Sequence, residues 1–192
     1  MLSRWVSIAL LALTTLPINA QSPASLEASR KLAQDFGQQL QAALSQALSN
    51  GTPEQAIAVC RDEAPRIASQ LARQSGAKIH RTSRRFRNPM NAPEPWEEEV
   101  LSHFFQAAAE ETDKRIEFFE SNGNTVRYMQ AIRIGGVCIV CHGQTLTSPI
   151  QNLLHSEYPY DRARDYELND LRGAFSITWP ATNRATTPST NP

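Results

Sequence analysis

Cys138, Cys141 and His142 stand in one run, Cys138-Ile139-Val140-Cys141-His142, and a C-x-x-C-H spacing points to a specific chemistry. Two thiols so spaced can each add to a vinyl group of a single haem, and the histidine that follows is placed to ligate the iron. Other uses of paired cysteines fit less well. A thioredoxin-like thiol pair follows a strand and opens a helix in a βαβ unit, whereas here Gly135-Gly136 lead in and Gly143 follows. A structural zinc site needs a second ligand pair, and the chain has no second C-x-x-C. The run therefore predicts one haem c, covalently attached through Cys138 and Cys141, with His142 on the iron.

The residue on the other side of the iron governs much of what such a group does, because axial ligand identity tunes the reduction potential. Met90, Met129, Cys60, His80, His103 and His155 are the candidates, and an open position is the remaining alternative. Cys60 is the odd thiol once haem has taken the other two. Such a cysteine is a free thiol, an intermolecular partner or a ligand, or it is an inert small hydrophobe on a helix face. Met90 lies between Pro89 and Pro93, which would fix it on a rigid loop as the ligand of an electron-transfer cytochrome. Met129 sits mid-strand and reads as core. A peroxidase would need a distal acid–base residue, for which His80 or His155 would serve, but no pair has a recognisable spacing. The expectation is a protein that is not an enzyme.

A basic cluster, His80-Arg81-x-x-Arg84-Arg85-x-Arg87, is the main local charge feature. Arg84, Arg85 and Arg87 are candidates to pair with the haem propionates through their guanidinium forks. A docking patch for an acidic partner and an ordinary solvated loop are the alternatives. Globally, 19 Lys and Arg balance 19 Asp and Glu, so nothing favours nucleic acid or anionic membrane. The acidic run Glu97-Glu98-Glu99 is explained by the dipole of the helix it opens.

The elements that must position these residues follow from periodicity. Leu26, Leu32, Ala33, Phe36, Leu40, Leu44 and Leu48 recur at helical spacing from Ser25 until Asn50-Gly51. Thr52-Pro53-Glu54-Gln55 has the form of a capping box opening a second helix, which Pro65 should kink and Gly76 should end. Residues 78–83 alternate like a strand, and a proline-punctuated loop leads to a third helix over 96–111. Two strands over 115–120 and 125–132 are joined at Asn122-Gly123, a hairpin signal. A final strand covers 173–179. The fold class is α+β, with N-terminal helices wrapped on a small antiparallel sheet.

Residues 1–20 read as a secretory signal peptide: Arg4, a short apolar stretch from Trp5 to Leu16, and Ile18-Asn19-Ala20 at the cleavage site. The stretch is too short to span a bilayer. Gln21 rules out a cysteine-linked lipid anchor at that junction. The expectation is a periplasmic protein with no stable membrane insertion, a single domain over 21–180 and a disordered tail over 181–192.

Several stretches together resemble a known family. They are Ala56-Ile57-Ala58-Val59-Cys60 with Ala64-Pro65; Arg81-Thr82-Ser83 with Arg87-Asn88-Pro89-x-Asn91-x-Pro93 and Trp96-Glu97; Cys138-x-x-Cys141-His142-Gly143; and Tyr158-Pro159-x-Asp161-x-Ala163 leading to Leu171-Arg172-Gly173-Ala174. The family consists of exported haem-binding domains with a PAS-like fold, long catalogued as a domain of unknown function. Members stand alone in the periplasm or serve as extracytoplasmic input domains of sensor proteins. The resemblance implies a PAS-like sheet and an iron held by His142 and Cys60. Many members carry glycines where this chain has Asp165 and Asn169, which predicts a differently shaped loop there. The functional expectation is redox or small-ligand sensing passed to a separate signalling or redox partner. The alternative is an electron carrier with Met90 or Cys60 as sixth ligand.

Overall fold

The computed structural model describes residues 24–110, 115–122 and 125–180. The expected signal peptide and C-terminal tail lie outside the described residues. Ser25 caps the first helix, α1 (Leu26–Asn50), by accepting the Ala28 N–H at 3.0 Å. Its apolar stripe has two uses. Leu32, Ala33 and Phe36 are buried against the sheet, whereas Leu40, Leu44 and Leu48 line a cavity described below.

After Gly51 the Gln55 side chain accepts the Thr52 N–H at 3.1 Å, and α2 (Pro53–Ala58) begins. It runs without a break through five residues of π-helix, Val59–Glu63, into α3 (Ala64–Ser75). The Ala64 N–H reaches back five residues to the Val59 carbonyl. Pro65 has no N–H to give, so the ladder is interrupted there on sequence grounds alone. The expected kink takes the form of a widened turn, and that turn contains Cys60. Gly76, at φ 80, closes α3 by donating to the Ala72 carbonyl.

Four strands, β1 (Lys78–Thr82), β2 (Glu117–Ser121), β3 (Val126–Arg133) and β4 (Leu171–Trp179), form an antiparallel sheet in the order β1-β4-β3-β2. The architecture is α+β. Strand alternation gives the sheet two apolar faces. Ile79, Tyr128, Phe175, Ile177 and Trp179 pack under α1 and α3, with the Phe36 and Phe175 rings 5.1 Å apart. Trp179 donates its indole N–H to the Ser29 hydroxyl at 2.8 Å, satisfying a buried donor. On the opposite face Met129, Leu171 and Ala174 pack against Val100, Leu101 and Phe104 of α4 (Pro95–Glu110). No described helix is long and apolar enough to cross a membrane.

Glu97 departs from its expected role as an exposed acid on the helix dipole. Its side chain is fully buried, accepts the Glu94 N–H at 3.0 Å and pairs with His80 Nε2 at 2.9 Å. Burial pushes its carboxyl pKa up, but the adjoining His80 and Ser176 side chains and the Glu94 N–H outweigh that and hold it below the usual range. A carboxyl lowered in the folded state contributes stability above its unfolded pKa, and that contribution disappears as pH falls through the folded value. Glu97→Gln is expected to destabilise the protein by about 1–3 kcal/mol at neutral pH. The gap to the parent should narrow as pH falls through and below the ordinary carboxylate range, measured by urea unfolding. Parallel pH dependences would show that Glu97 carries no such contribution.

Candidate functional site

Gly135 starts a short helix, α5 (Gly136–His142), directly after β3. Residues 138, 141 and 142 are related by i, i+3 and i+4 and share a helix face, while Val140 between them is partly exposed. All three line a cavity with about 1040 Å³ of empty space, its open mouth included. Its walls are apolar: Leu40, Leu44 and Leu48 of α1, Ala56 and Ile57 of α2, Ile132, Ile134 and Phe175. Cys60, on the π segment, lines the same space. Burial pushes the Cys141 thiol up; Arg87 opposes that, and Cys60 and Cys138 lie near enough to add to it. A raised thiol is the opposite of what a redox-exchange nucleophile requires. The motif does follow a strand and open a helix, but β4 returns antiparallel to β3, so there is no βαβ unit.

His142 is held by the segment between α6 (Ser148–Glu157) and β4. Its Nδ1 lies 2.8 Å from the Ala163 carbonyl, and its own carbonyl accepts the Tyr166 N–H at 3.0 Å. A carbonyl can only accept, so Nδ1 carries the proton and Nε2 keeps its lone pair. Nε2 has no hydrogen-bond partner among the described residues. Burial, reinforced by Arg87 and Arg172, drives the imidazole pKa well below its ordinary value. This is a neutral histidine with its tautomer fixed and one nitrogen free. No three His, Cys, Asp or Glu side chains among the described residues converge closely enough to hold a bare metal ion, so the donors surround a space rather than a point.

Arg87 builds the other half of this support. It is 6% exposed and donates to the carbonyls of Cys141 and Ala163, the latter at 3.1 Å. Its Nε lies 3.2 Å from Asp161 Oδ1, an ion pair without hydrogen-bond alignment. The Asp161 side chain is itself fully buried and accepts the Ala163 N–H at 2.8 Å. Asp165 and Asn169 follow in the same segment at φ 58 and 71. Glycine enters that region freely, and Asp and Asn tolerate it better than other residues. Both positions therefore hold a left-handed turn of a kind that glycine would also accept.

The structure separates the remaining candidates. Met90 is 84% exposed on a 3-10 turn (Pro89–Asn91) and does not line the cavity. Met129 is buried beneath α4, as its mid-strand position suggested. His80 faces Glu97, and His103 and His155 are exposed. Of the three loop arginines only Arg87 lines the cavity. Arg84 turns to Glu98 and Ser102 of α4. Arg85 lies 4.1 Å from the centre of the Tyr166 ring. Arg81 and Arg172 do line the cavity; both stand in the stretches that carry the resemblance, and Arg81 belongs to the basic cluster, but neither was among the arginines chosen as propionate partners. Alternation places Arg81 on the β1 face that carries Ile79, which was the available signal.

Comparison with known proteins gives a consistent picture. The model of the Tll0287-like family matches residues 19–180, so the chain belongs to that family. A solved structure described as the cyanobacterial heme-protein Tll0287 superposes with a TM-score of 0.62 at 25% identity. The match covers 84% of this chain and 100% of that one. No curated protein matches.

The support around Ala163 makes a direct prediction. Arg87→Met strands the buried Asp161 beside Arg164 alone and leaves two carbonyls short of a donor. The expected loss is about 3 kcal/mol, measured by urea unfolding. Arg87→Lys should recover little, because one ammonium cannot reproduce the fork. Full recovery by lysine would show that charge alone matters.

Proposed function

We propose that this member of the Tll0287-like family is a periplasmic monohaem c-type protein that senses redox state or a small ligand. In this reading Cys138 and Cys141 carry the haem covalently, and His142 and Cys60 are the axial ligands. The observation that carries it is the His142 ring: Nδ1 is committed to Ala163, and Nε2 is free in an apolar cavity that also holds all three cysteines. A ligating histidine characteristically donates its other N–H to a carbonyl or carboxylate. The cavity fits the group on chemical grounds, with apolar walls for a macrocycle, two thiols on one helix face and two candidate axial donors. A haem bound there supplies a one-electron couple and a position for a diatomic ligand.

The chain's own residues differ in how firmly they are held. His142 is fixed by main-chain bonds to the 163–166 segment. Cys60 sits on a π segment, a register found mostly as single turns and often at functional sites. That placement suits a ligand that holds in one state and lets go in another. As a thiolate, Cys60 would favour ferric iron and lower the potential. The N-terminal signal pattern supports export, where covalent haem attachment takes place. A separate redox or signalling protein would receive the output.

The test is the low-temperature EPR spectrum of the oxidised holoprotein, produced with c-type maturation machinery, alongside Cys60→Ala. A low-spin thiolate-type signal that Cys60→Ala abolishes is expected, as is a reorganised visible spectrum on reduction. A signal unchanged by Cys60→Ala removes that residue from the iron. Unchanged ligation in both oxidation states leaves an electron carrier as the better reading. Loss of haem from the denatured parent chain would defeat covalent attachment.

A further inference from the structure

The cavity's lining charges do not balance. Arg81, Arg87 and Arg172 line it, and no Asp or Glu does. Arg87 is accounted for by Asp161 and two carbonyls. Arg172 has only neutral acceptors: its Nη1 donates to the Ser83 hydroxyl at 2.8 Å and to the Arg85 carbonyl at 3.0 Å. Its guanidinium also lies 5.6 Å from the centre of the Tyr166 ring. No carboxylate is paired with it among the described residues. The Arg81 side chain makes no hydrogen bond or ion pair with any described residue. Burial pushes the Arg172 pKa below its usual value; Tyr166 and the more distant Asp161 oppose that, while Arg81 and Arg87 add to it, so the guanidinium groups lie near one another and repel. A cationic side chain withdrawn from water, as Arg172 is, needs an anion, and a guanidinium fork matches a carboxylate edge to edge.

We propose that Arg81 and Arg172, rather than Arg84 and Arg85, form a two-carboxylate rim on the cavity, and that the carboxylates they take are the haem propionates. The assignment rests on the haem reading above and concerns a different part of the group. Ser83, Asn88 and Asn91 complete the polar edge of the lining, opposite in character to the leucine wall of α1. A ligand that fits has a broad apolar face and two acids on one edge. Arg84 and Arg85 are excluded from this role because neither lines the cavity; Arg84 is tied to α4 and Arg85 reaches the Arg162 carbonyl.

The experiment is a spectroelectrochemical titration of covalently matured holoprotein for the parent, Arg81→Gln, Arg81→Lys and Arg172→Gln. Thioether bonds keep the haem in place, so loss of a propionate partner does not lose the chromophore. Removing a positive partner leaves a propionate uncompensated, which disfavours the extra electron. Both glutamine variants should therefore have lower midpoint potentials than the parent. They should also gain a pH-dependent slope between about pH 5 and pH 8, as the freed propionate takes up a proton on reduction. Arg81→Lys should restore much of the potential. The Arg81 guanidinium has no other partner among the described residues, and Arg81→Gln leaves the β1 backbone pairing intact, so a purely structural role predicts no shift for it. Potentials unchanged in both glutamine variants overturn the proposal while leaving the haem reading intact. A parent potential that moves with added acetate or succinate, through these arginines, would assign the rim to solution carboxylates and overturn it too. A parent chain that takes up no haem defeats the earlier reading, and this assignment with it.

Discussion

One carbonyl organises the site. Ala163 O accepts from the His142 ring and from Arg87, and through these bonds the 158–166 segment is fastened to α5. The bond to His142 fixes which nitrogen is free. The bond to Arg87 brings in Asp161, whose carboxylate turns back to hold the Ala163 N–H. The result is a closed ring of polar groups with little access to water. Each member compensates the desolvation of another, and such networks are worth having only when nearly every member is satisfied. The position of α5, and of its two thiols, depends on that closure.

Everything else in the fold supplies a wall or a floor. The sheet carries apolar side chains on both faces, so it is covered twice, by α1 and α3 on one side and by α4 on the other. α1 extends beyond the sheet, and its leucine stripe continues along the cavity. A helix of 25 residues spans roughly 37 Å at 1.5 Å per residue, long enough to serve both purposes with one repeating pattern. Gly173 at φ 152 lets β4 approach β1 so closely that a Cβ there would lie 2.3 Å from the Thr82 carbonyl. That close approach occurs beside Arg172 and Ser83, at the polar edge of the cavity.

Much of this was legible in the sequence, and the reasons differ by element. Helix limits came from local chemistry: the Thr52–Gln55 box and Gly76 each act within a few residues, so a linear reading finds them. The C-x-x-C-H run is legible for the same reason, because helix geometry alone puts its three side chains on one face. What could not be read was which side chains cross between elements. Glu97 looks like an ordinary helix-opening acid, and only the packing of α4 over β1 brings it to His80. The loop arginines look equivalent in a string, yet tertiary structure sends Arg84 to α4, Arg85 to Tyr166 and Arg87 into the core. Arg172 lies far from that cluster in sequence and close to it across the β1–β4 pairing.

In mechanical terms the cavity has one stiff wall and one compliant wall. The wall bearing α5 is braced by buried bonds that must break together. The wall bearing Cys60 is a widened helical turn, and the Arg61–Glu157 ion pair that ties it to α6 is partly exposed, so that tie adds little resistance. A strain applied between the two walls is therefore not shared equally. The π turn is the part of the enclosure with the fewest buried polar ties, and the bonds that brace α5 are the ones least free to yield.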